Sequence, residues 1–159
     1  FKENGKITAG NSSQMSDGAS AVLMMSKEKA LELGLKPKVK IIARSVIGSD
    51  PTLMLTGPIE ATRQVLNRAG LTLDEIDRYE VNEAFAPIPL AWLHDLQADI
   101  DKLNVNGGAI ALGHPLGATG TKLLVSLINE LERIDGKYGL LAICEGAGMA
   151  NATVIERIS

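Results

Sequence analysis

The pattern of apolar and polar residues along the chain alternates between the periods of strands and of helices. Residues 39–48 are rich in β-branched side chains and partly alternate, which predicts a strand. Apolar residues recur at helical spacing over 58–69 and most clearly over 119–134. Residues 139–144 form a continuous apolar run, which indicates a strand buried on both faces.

Three shorter strands are predicted over residues 21–25, 78–81 and 152–158. With the two above they make five strands that alternate with helices, so we expect helices on both faces of a mixed sheet. The fold class is therefore α/β, a layered αβα arrangement around a mixed five-stranded sheet. A helix also follows residue 82; Pro87 suits its first turn, whereas Pro89 costs a backbone hydrogen bond unless the helix starts later.

Composition and charge exclude several classes of protein. Of the 159 residues, 45% are hydrophobic and 22% are charged, as in an ordinary globular domain, and the formal net charge of −3 offers no basic surface for nucleic acid. No apolar run approaches the roughly 18 residues that a membrane span needs. The single cysteine, Cys144, leaves no intrachain disulfide or multi-cysteine zinc site. We therefore expect no metal, no membrane span and a reducing, cytoplasmic location.

The start of the chain and its glycines are both unusual. The chain begins with Phe1 rather than Met and carries no signal-peptide character. It can be a trimmed terminus or the back part of a longer protein, and both interpretations stay open at this point. Nine of the 16 glycines lie between Gly107 and Gly148, which indicates backbone in unusual conformations or in close contact with something.

Two side chains are candidates for proton transfer. His114 lies in a glycine-rich loop before a helix and is followed by Pro115, so it can present one ring nitrogen to a substrate oxygen, or it can be a plain loop histidine. Cys144 ends a predicted strand. It is either a small buried core residue or an active thiol beside a glycine turn with free backbone N–H donors. Asn82, directly after a strand, can be a helix cap or a site residue, whereas His94 is interpreted as a solvated helix residue.

Four segments of the chain carry a family resemblance. They are residues 8–13 with 17–19, Asn82-Glu83-Ala84-Phe85, residues 106–120, and Cys144-x-Gly-x-Gly-Met. Their order and spacing resemble the thiolase family, the acyl-CoA C-acyltransferases. The resemblance covers essentially the whole chain but only the C-terminal part of the family. The family's nucleophilic cysteine lies in its front half, and no residue here can stand in for it.

The resemblance implies a domain organisation and partners. Thiolases consist of two similar halves, so residues 39–159 are expected to form the C-terminal domain. Residues 1–38 are expected to form the end of the loop region and the last elements of the N-terminal half. The implied partners are acyl-CoA or CoA, the N-terminal thiolase half and further copies of the protein in a homo-oligomer. No cofactor is implied, since coenzyme A thioesters are the substrates.

The resemblance also implies roles for four residues. His114 resembles the histidine that activates the nucleophile and helps to bind the thioester oxygen. Cys144 resembles the second cysteine, the acid and base at the acetyl methyl group. Asn82 resembles the residue that holds a water in one oxyanion hole, and the N–H of Gly146 resembles part of the second hole. These roles fit the chemistry, because an enolate must form beside a thioester and a thiol can shuttle protons near neutral pH.

The resemblance also implies substrate contacts, and some residues depart from the family pattern in ways that bear on specificity. Ser13, Met54 and Phe85 match family positions that contact CoA or the acyl chain. Glu145 replaces the usual apolar residue or glycine, which resembles degradative β-oxidation or sterol-type thiolases and would raise the pKa of the Cys144 thiol if its charge points inward. The prolines after Asn82 are unusual for the family and can reshape the acyl pocket.

The expected function is acyl transfer between CoA thioesters, either thiolytic cleavage of 3-ketoacyl-CoA or Claisen condensation of acetyl-CoA. This chain alone is expected to be inactive, because the nucleophile belongs to the missing half. A non-catalytic remnant that binds CoA or lipid, or serves as a scaffold, is the alternative.

Overall fold

One mixed sheet organises the computed structural model, which describes residues 2–158. Phe1 and Ser159, the outer ends of the two predicted domains, lie outside the described residues. The strands of the sheet are β1 (Val39–Gly48), β2 (Arg78–Val81), β3 (Tyr138–Glu145) and β4 (Met149–Arg157). Their order is β1-β4-β3-β2, with β2 parallel to β3 and the other two pairings antiparallel.

The sheet of the described residues has four strands, so the prediction of five was wrong by one. The missing strand is the apolar run over residues 21–25, which has no regular secondary structure and pairs with no strand of the sheet. Leu23 and Met24 in this run are 78% and 65% exposed. An apolar run becomes a strand only where a neighbour accepts its backbone hydrogen bonds, and local sequence does not show whether that neighbour is present.

Five α-helices lie between residues 2 and 158, and none is long and apolar enough to cross a membrane. They are α1 (Lys27–Glu32), α2 (Gly57–Ala69), α3 (Pro87–Leu96), α4 (Ala109–Leu112) and α5 (Thr119–Ile134). Helix α3 begins at Pro87, which places Pro89 in the first turn as well. The N–H groups of a first turn have no intrahelical acceptor, so neither proline removes a helix hydrogen bond.

Helices cover both faces of the sheet, and the side chains of β3 show the alternation. Leu140 packs with α2 and α3 in one core, whereas Leu141 packs with α5 in the other. Trp92 of α3 is fully buried in the first core, and its indole N–H donates to the Thr62 hydroxyl of α2 at 2.9 Å. The α/β class and the layered αβα arrangement are therefore confirmed.

The loops at one edge of the sheet are tied to one another. The strands β1, β2 and β3 all end at this edge, and β4 starts there. The backbone N–H of Ser49, just after β1, donates to the carbonyl of Gly148 at 2.6 Å. Residues 11–13 lie along residues 84–86, where Ala86 N donates to Asn11 O at 2.9 Å. The N-terminal loop is thus held against the loop that follows β2.

Candidate active site

His114 is fixed by its backbone and by its ring. Its N–H donates to the carbonyl of Gln14 at 2.8 Å, and its Nδ1 lies 2.7 Å from the hydroxyl of Thr119 in the first turn of α5. Thr119 donates its own hydroxyl proton to the carbonyl of Pro115 at 3.0 Å. The hydroxyl therefore accepts from Nδ1–H, and in the neutral ring Nε2 carries no proton. This tautomer leaves Nε2 as the atom that can take a proton from a substrate or a nucleophile.

The surroundings of His114 favour its neutral form. Burial lowers the pKa of the imidazole, and the positive charge of Lys122 lowers it further. The ammonium group of Lys122 donates to the carbonyl of Gly113 at 3.3 Å, which keeps the charge beside the loop. A neutral imidazole at physiological pH can act as a general base.

Asn82 and Cys144 meet at the ends of two parallel strands. Val81 pairs with Ala142, and the N–H of Asn82 donates to the carbonyl of Ala142 at 3.0 Å. Both side chains are buried, with Asn82 2% and Cys144 8% exposed. Burial is the main cause that raises the pKa of the Cys144 thiol, and a hydrogen bond from the Asn82 amide opposes it. The thiol is therefore protonated at neutral pH, as a proton donor must be.

The first turn of α5 contacts both the His114 ring and the strand that carries Cys144. Gly120 follows Thr119, the partner of the His114 ring, and a Cβ on Gly120 would lie 3.5 Å from Cδ1 of Ile143. Ile143 directly precedes Cys144 on β3. The His114 loop and the end of β3 are therefore linked through the first turn of α5, although they come from distant parts of the chain.

The turn after Cys144 is tight and is packed against the end of β1. Gly146 is exposed at this turn, Ala147 has a left-handed backbone with φ 61°, and Gly148 has φ 78°. A Cβ on Gly148 would lie 2.7 Å from the carbonyl oxygen of Ser49, so a larger residue does not fit there.

Glu145 points its carboxylate at a neighbouring strand. Its Oε1 accepts from Nδ2 of Asn151 on β4 at 2.5 Å. The charge of Glu145 raises the pKa of the Cys144 thiol as the sequence suggested, but it is the smallest of the causes and burial is the largest.

Two of the three predicted substrate contacts lie together. The N–H and the hydroxyl of Ser13 both donate to the carbonyl of Ala84 at 3.0 Å, and Ser12 pairs with Phe85 in an antiparallel bridge. Ser13 and Phe85 are therefore neighbours on paired loops. Met54 lies elsewhere, in the loop after β1, with a left-handed φ of 58°.

An open cleft borders the His114 loop. It has a volume of about 350 Å³ and lies between residues 16–20 and residues 115–118. Within residues 2–158, no group of three or more His, Cys, Asp or Glu side chains is arranged to hold a metal ion.

Sequence reasoning missed the residues that support the site. The Glu83 carboxylate accepts from Nδ2 of Asn104 at 2.9 Å and from the N–H of Ile110 at 3.0 Å, so it ties the end of β2 to the glycine-rich loop. Thr119 holds the His114 ring, and its spacing of five residues, at the first position of a clear helix, is a signal that was available. Glu80 is a carboxylate that is buried in β2, and no local sequence signal distinguishes it from a charged strand residue that faces water.

Comparison with known proteins identifies the family of this arrangement. The family model for the C-terminal domain of thiolase matches residues 35–157, and the model for the N-terminal domain of thiolase matches residues 1–28. The steroid 3-ketoacyl-CoA thiolase FadA6 of Mycobacterium tuberculosis is 56% identical over 156 residues, which cover 98% of this chain and 38% of the relative. The acetyl-CoA acetyltransferase of Syntrophomonas wolfei is 49% identical, over 99% of this chain and 40% of that protein.

Solved structures agree with the sequence relatives. The human mitochondrial 3-ketoacyl-CoA thiolase in complex with CoA superposes with a TM-score of 0.97 at 45% identity, over 100% of this chain and 40% of that one. The Bacillus anthracis acetyl-CoA acetyltransferase gives a TM-score of 0.97 at 43% identity, over 99% and 40%. The chain thus spans about 40% of the length of these relatives.

Proposed function

The chain belongs to the thiolase family, and from that premise we propose that it supplies the acid and base machinery of an enzyme that transfers acyl groups between CoA thioesters. The observation that carries the proposal is the junction of α5 with β3. There Thr119 orients the His114 ring, and the next residue, Gly120, packs on Ile143 beside Cys144. The nucleophilic cysteine is supplied by the N-terminal thiolase portion.

His114 activates that cysteine. Its neutral ring accepts the thiol proton at Nε2, because Nδ1 already donates to Thr119. Once protonated, the same nitrogen is a donor that can stabilise negative charge on the thioester oxygen. The lowered pKa of His114 supports this order of events, since the ring waits in its proton-accepting form.

Cys144 exchanges a proton with the carbon next to the second thioester. In cleavage of a 3-ketoacyl-CoA, the bond between the two acyl carbons breaks, and its electron pair stays on the departing acetyl-CoA as an enolate. The thiol then protonates that carbanion, and in condensation the thiolate removes the same proton. The raised pKa of Cys144 supports the first role directly, and the Asn82 hydrogen bond stabilises the thiolate that results.

Asn82 and Gly146 stabilise the negative charge that develops on the thioester oxygens. Asn82 holds a water that donates to the thioester oxygen together with His114, which is supported by a buried Oδ1 without a protein partner. The N–H of Gly146, in the exposed turn after Cys144, is assigned to the second oxyanion hole. Each such donor typically accounts for about 3 kcal/mol of transition-state stabilisation.

The substrate is a CoA thioester, bound along the cleft beside the His114 loop. A solved relative with CoA bound supports this class of ligand. Ser13 and Phe85 on the paired loops, and Met54 in the loop after β1, are assigned as contacts to CoA or the acyl chain.

The N-terminal thiolase portion covers the apolar surface around residues 21–35. Leu23, Met24 and Leu31 are 78%, 65% and 67% exposed, which is more apolar surface than a separate domain usually leaves in water. The complete enzyme is proposed to form a homo-oligomer.

Reconstitution tests the proposal. This chain is mixed with the matching N-terminal thiolase portion, and thiolysis of a 3-ketoacyl-CoA by free CoA is followed. We expect activity with the natural chain and a loss of at least about 100-fold with His114→Ala or Cys144→Ala. His94→Ala, at a surface position 89% exposed, is the matched control and keeps full activity. A folded complex without thiolysis would refute the catalytic assignment. In that case, CoA binding unaffected by either active-site variant would favour the non-catalytic alternative.

A further inference from the structure

Two buried side-chain oxygens between residues 2 and 158 have no hydrogen-bond partner, and their residues are two apart in the sequence. They are Oε2 of Glu80 in β2 and Oδ1 of Asn82 at its end. Both side chains are 2% exposed. A buried oxygen without a hydrogen-bond partner destabilises the fold, so two of them beside a proposed active site call for a physical cause.

Glu80 lies on one face of β2, and Asn82, the first residue after the strand, continues the ladder with β3. Tyr79 and Val81 point into the core formed with α2 and α3, so Glu80 between them points the other way, toward α5. Arg78 confirms that direction, because its guanidinium binds Glu130 of α5 at 3.1 Å. Residues two apart along a ladder are about 7 Å apart at the backbone, and one water spans two hydrogen bonds of about 2.8 Å each. A single water can therefore reach both oxygens.

The chemistry of the two groups is complementary only if Glu80 is neutral. The amide oxygen of Asn82 can accept but not donate, whereas a protonated carboxyl has one O–H to donate. Burial raises the pKa of Glu80 to about 8, and the charges of Glu83 and Glu130 add to that rise, while Lys122 lowers it. Glu80 thus carries its proton at neutral pH.

We propose that Glu80 is a positioning residue that shares one water with Asn82 and donates to it, so that the water's free hydrogen points at the oxygen of the bound thioester. One hydrogen of this water goes to Oδ1 of Asn82, and its oxygen accepts from Glu80. The second hydrogen has no protein acceptor left and is directed to the substrate. This inference rests on the proposed function, in which Asn82 holds a water in an oxyanion hole.

Ionisation of Glu80 reverses the orientation of the water between Glu80 and Asn82. A carboxylate can only accept, so above about pH 8 the water turns its second hydrogen toward Glu80 and the substrate loses that donor. An ordinary buried carboxyl that merely fills space has no such effect on catalysis. The pH dependence of kcat therefore distinguishes a positioning role of Glu80, which changes it, from a purely structural role, which does not.

The direct experiment is a high-resolution crystal structure of the complete enzyme, with Glu80→Gln and Glu80→Leu alongside. We expect a water within hydrogen-bond distance of Glu80 and Asn82 in the natural protein and in Glu80→Gln, and no such water in Glu80→Leu. An infrared band of a protonated carboxyl that is absent from Glu80→Gln tests the neutral state. Neither measurement needs turnover, so they test this inference even if the enzyme proves inactive. A direct Glu80–Asn82 contact without water, or no carboxyl band, overturns it.

Kinetics supply the second readout. Loss of one oriented donor lowers kcat by about 100-fold in Glu80→Leu with little change in KM, and Glu80→Gln, which can still donate, recovers most of that loss. The fall in kcat that begins near pH 8 moves to higher pH in Glu80→Gln, where ionisation of the Cys144 thiol sets the limit, and keeps its position in the surface control Glu60→Gln. Equal kcat in Glu80→Gln and Glu80→Leu, or an unchanged alkaline limb in Glu80→Gln, contradicts the positioning role.

Discussion

The ring of His114 and the hydroxyl of Thr119 form a directed pair, in which the ring nitrogen Nδ1 donates across 2.7 Å. The direction is set by a third group, because the Thr119 hydroxyl already donates its hydrogen bond to the carbonyl of Pro115. A loop histidine that was free to rotate would present either nitrogen. Here the first turn of a helix selects the tautomer and holds Nε2 available for proton transfer.

Thr119→Val removes the hydroxyl that selects the His114 tautomer while it keeps the shape of the side chain. We expect kcat to fall at least about 10-fold, because the ring loses both its partner and its preferred tautomer. Thr119→Ser keeps the hydroxyl and should recover most of the activity. Nitrogen NMR of the His114 ring reports the tautomer independently of turnover. A Val variant with the natural kcat and tautomer would show that the pair is incidental.

Lys122→Met should raise the pKa of His114. A nearby positive charge disfavours a protonated imidazole, so its removal makes protonation easier, while burial, the larger cause, still holds the pKa below its ordinary value. Lys122→Arg keeps the charge and should leave the pKa low. The measurement is a histidine NMR titration of the labelled chain bound to an unlabelled N-terminal portion, with the exposed His94 as an internal reference. An unchanged His114 titration in the Met variant would exclude an electrostatic role for Lys122.

Gly108→Ala should destabilise the fold by forcing Glu83 aside. A Cβ at this position would lie 2.2 Å from Cδ of Glu83, whose two oxygens are already held by Asn104 and Ile110. We expect a loss of about 1–3 kcal/mol in the free energy of urea unfolding. Gly48→Ala is the matched control, because nothing lies within 4 Å of the added carbon, and it should change stability by less than about 0.5 kcal/mol. Equal stability of the two variants would mean that Glu83 yields without cost.

The sequence predicted structure best where the conformation of a segment depends on its own residues. The periodicity over residues 119–134 predicted α5 with its bounds, and Gly70 ends α2 in the left-handed conformation expected of a helix-terminal glycine. His114 and Cys144 were singled out from their glycine-rich surroundings, but before the family resemblance a functional role was favoured only for His114, and a buried structural role was favoured for Cys144. The specific roles came from the family resemblance.

What the sequence did not show depends on contacts between distant segments. The run over residues 21–25 has the composition of a strand, yet it pairs with no strand here. Glu80 was overlooked because a charged residue in a short strand usually faces water, and only the packing of α5 against β2 buries it. The close approach of the Glu83 carboxylate to Gly108 is likewise a tertiary contact, and the sequence around neither residue predicts it.

Glu80 should also give the fold a distinctive pH dependence. Its pKa is about 8 in the folded protein against an ordinary value of 4.5, so the folded state binds a proton that the unfolded chain releases between these values. The contribution of Glu80 to stability is therefore complete below the unfolded pKa and is lost as pH rises toward the folded one, with a slope of up to about 1.4 kcal/mol per pH unit.

Glu80→Gln has no proton to lose, so its free energy of urea unfolding should fall less steeply than that of the natural protein across this range. Groups that do not interact with Glu80 titrate equally in both proteins and cancel in the difference, and Glu60→Gln should keep the natural slope. Parallel curves for the natural protein and Glu80→Gln would mean that Glu80 is already ionised when buried, and the water would then point its hydrogen at Glu80 rather than at the substrate.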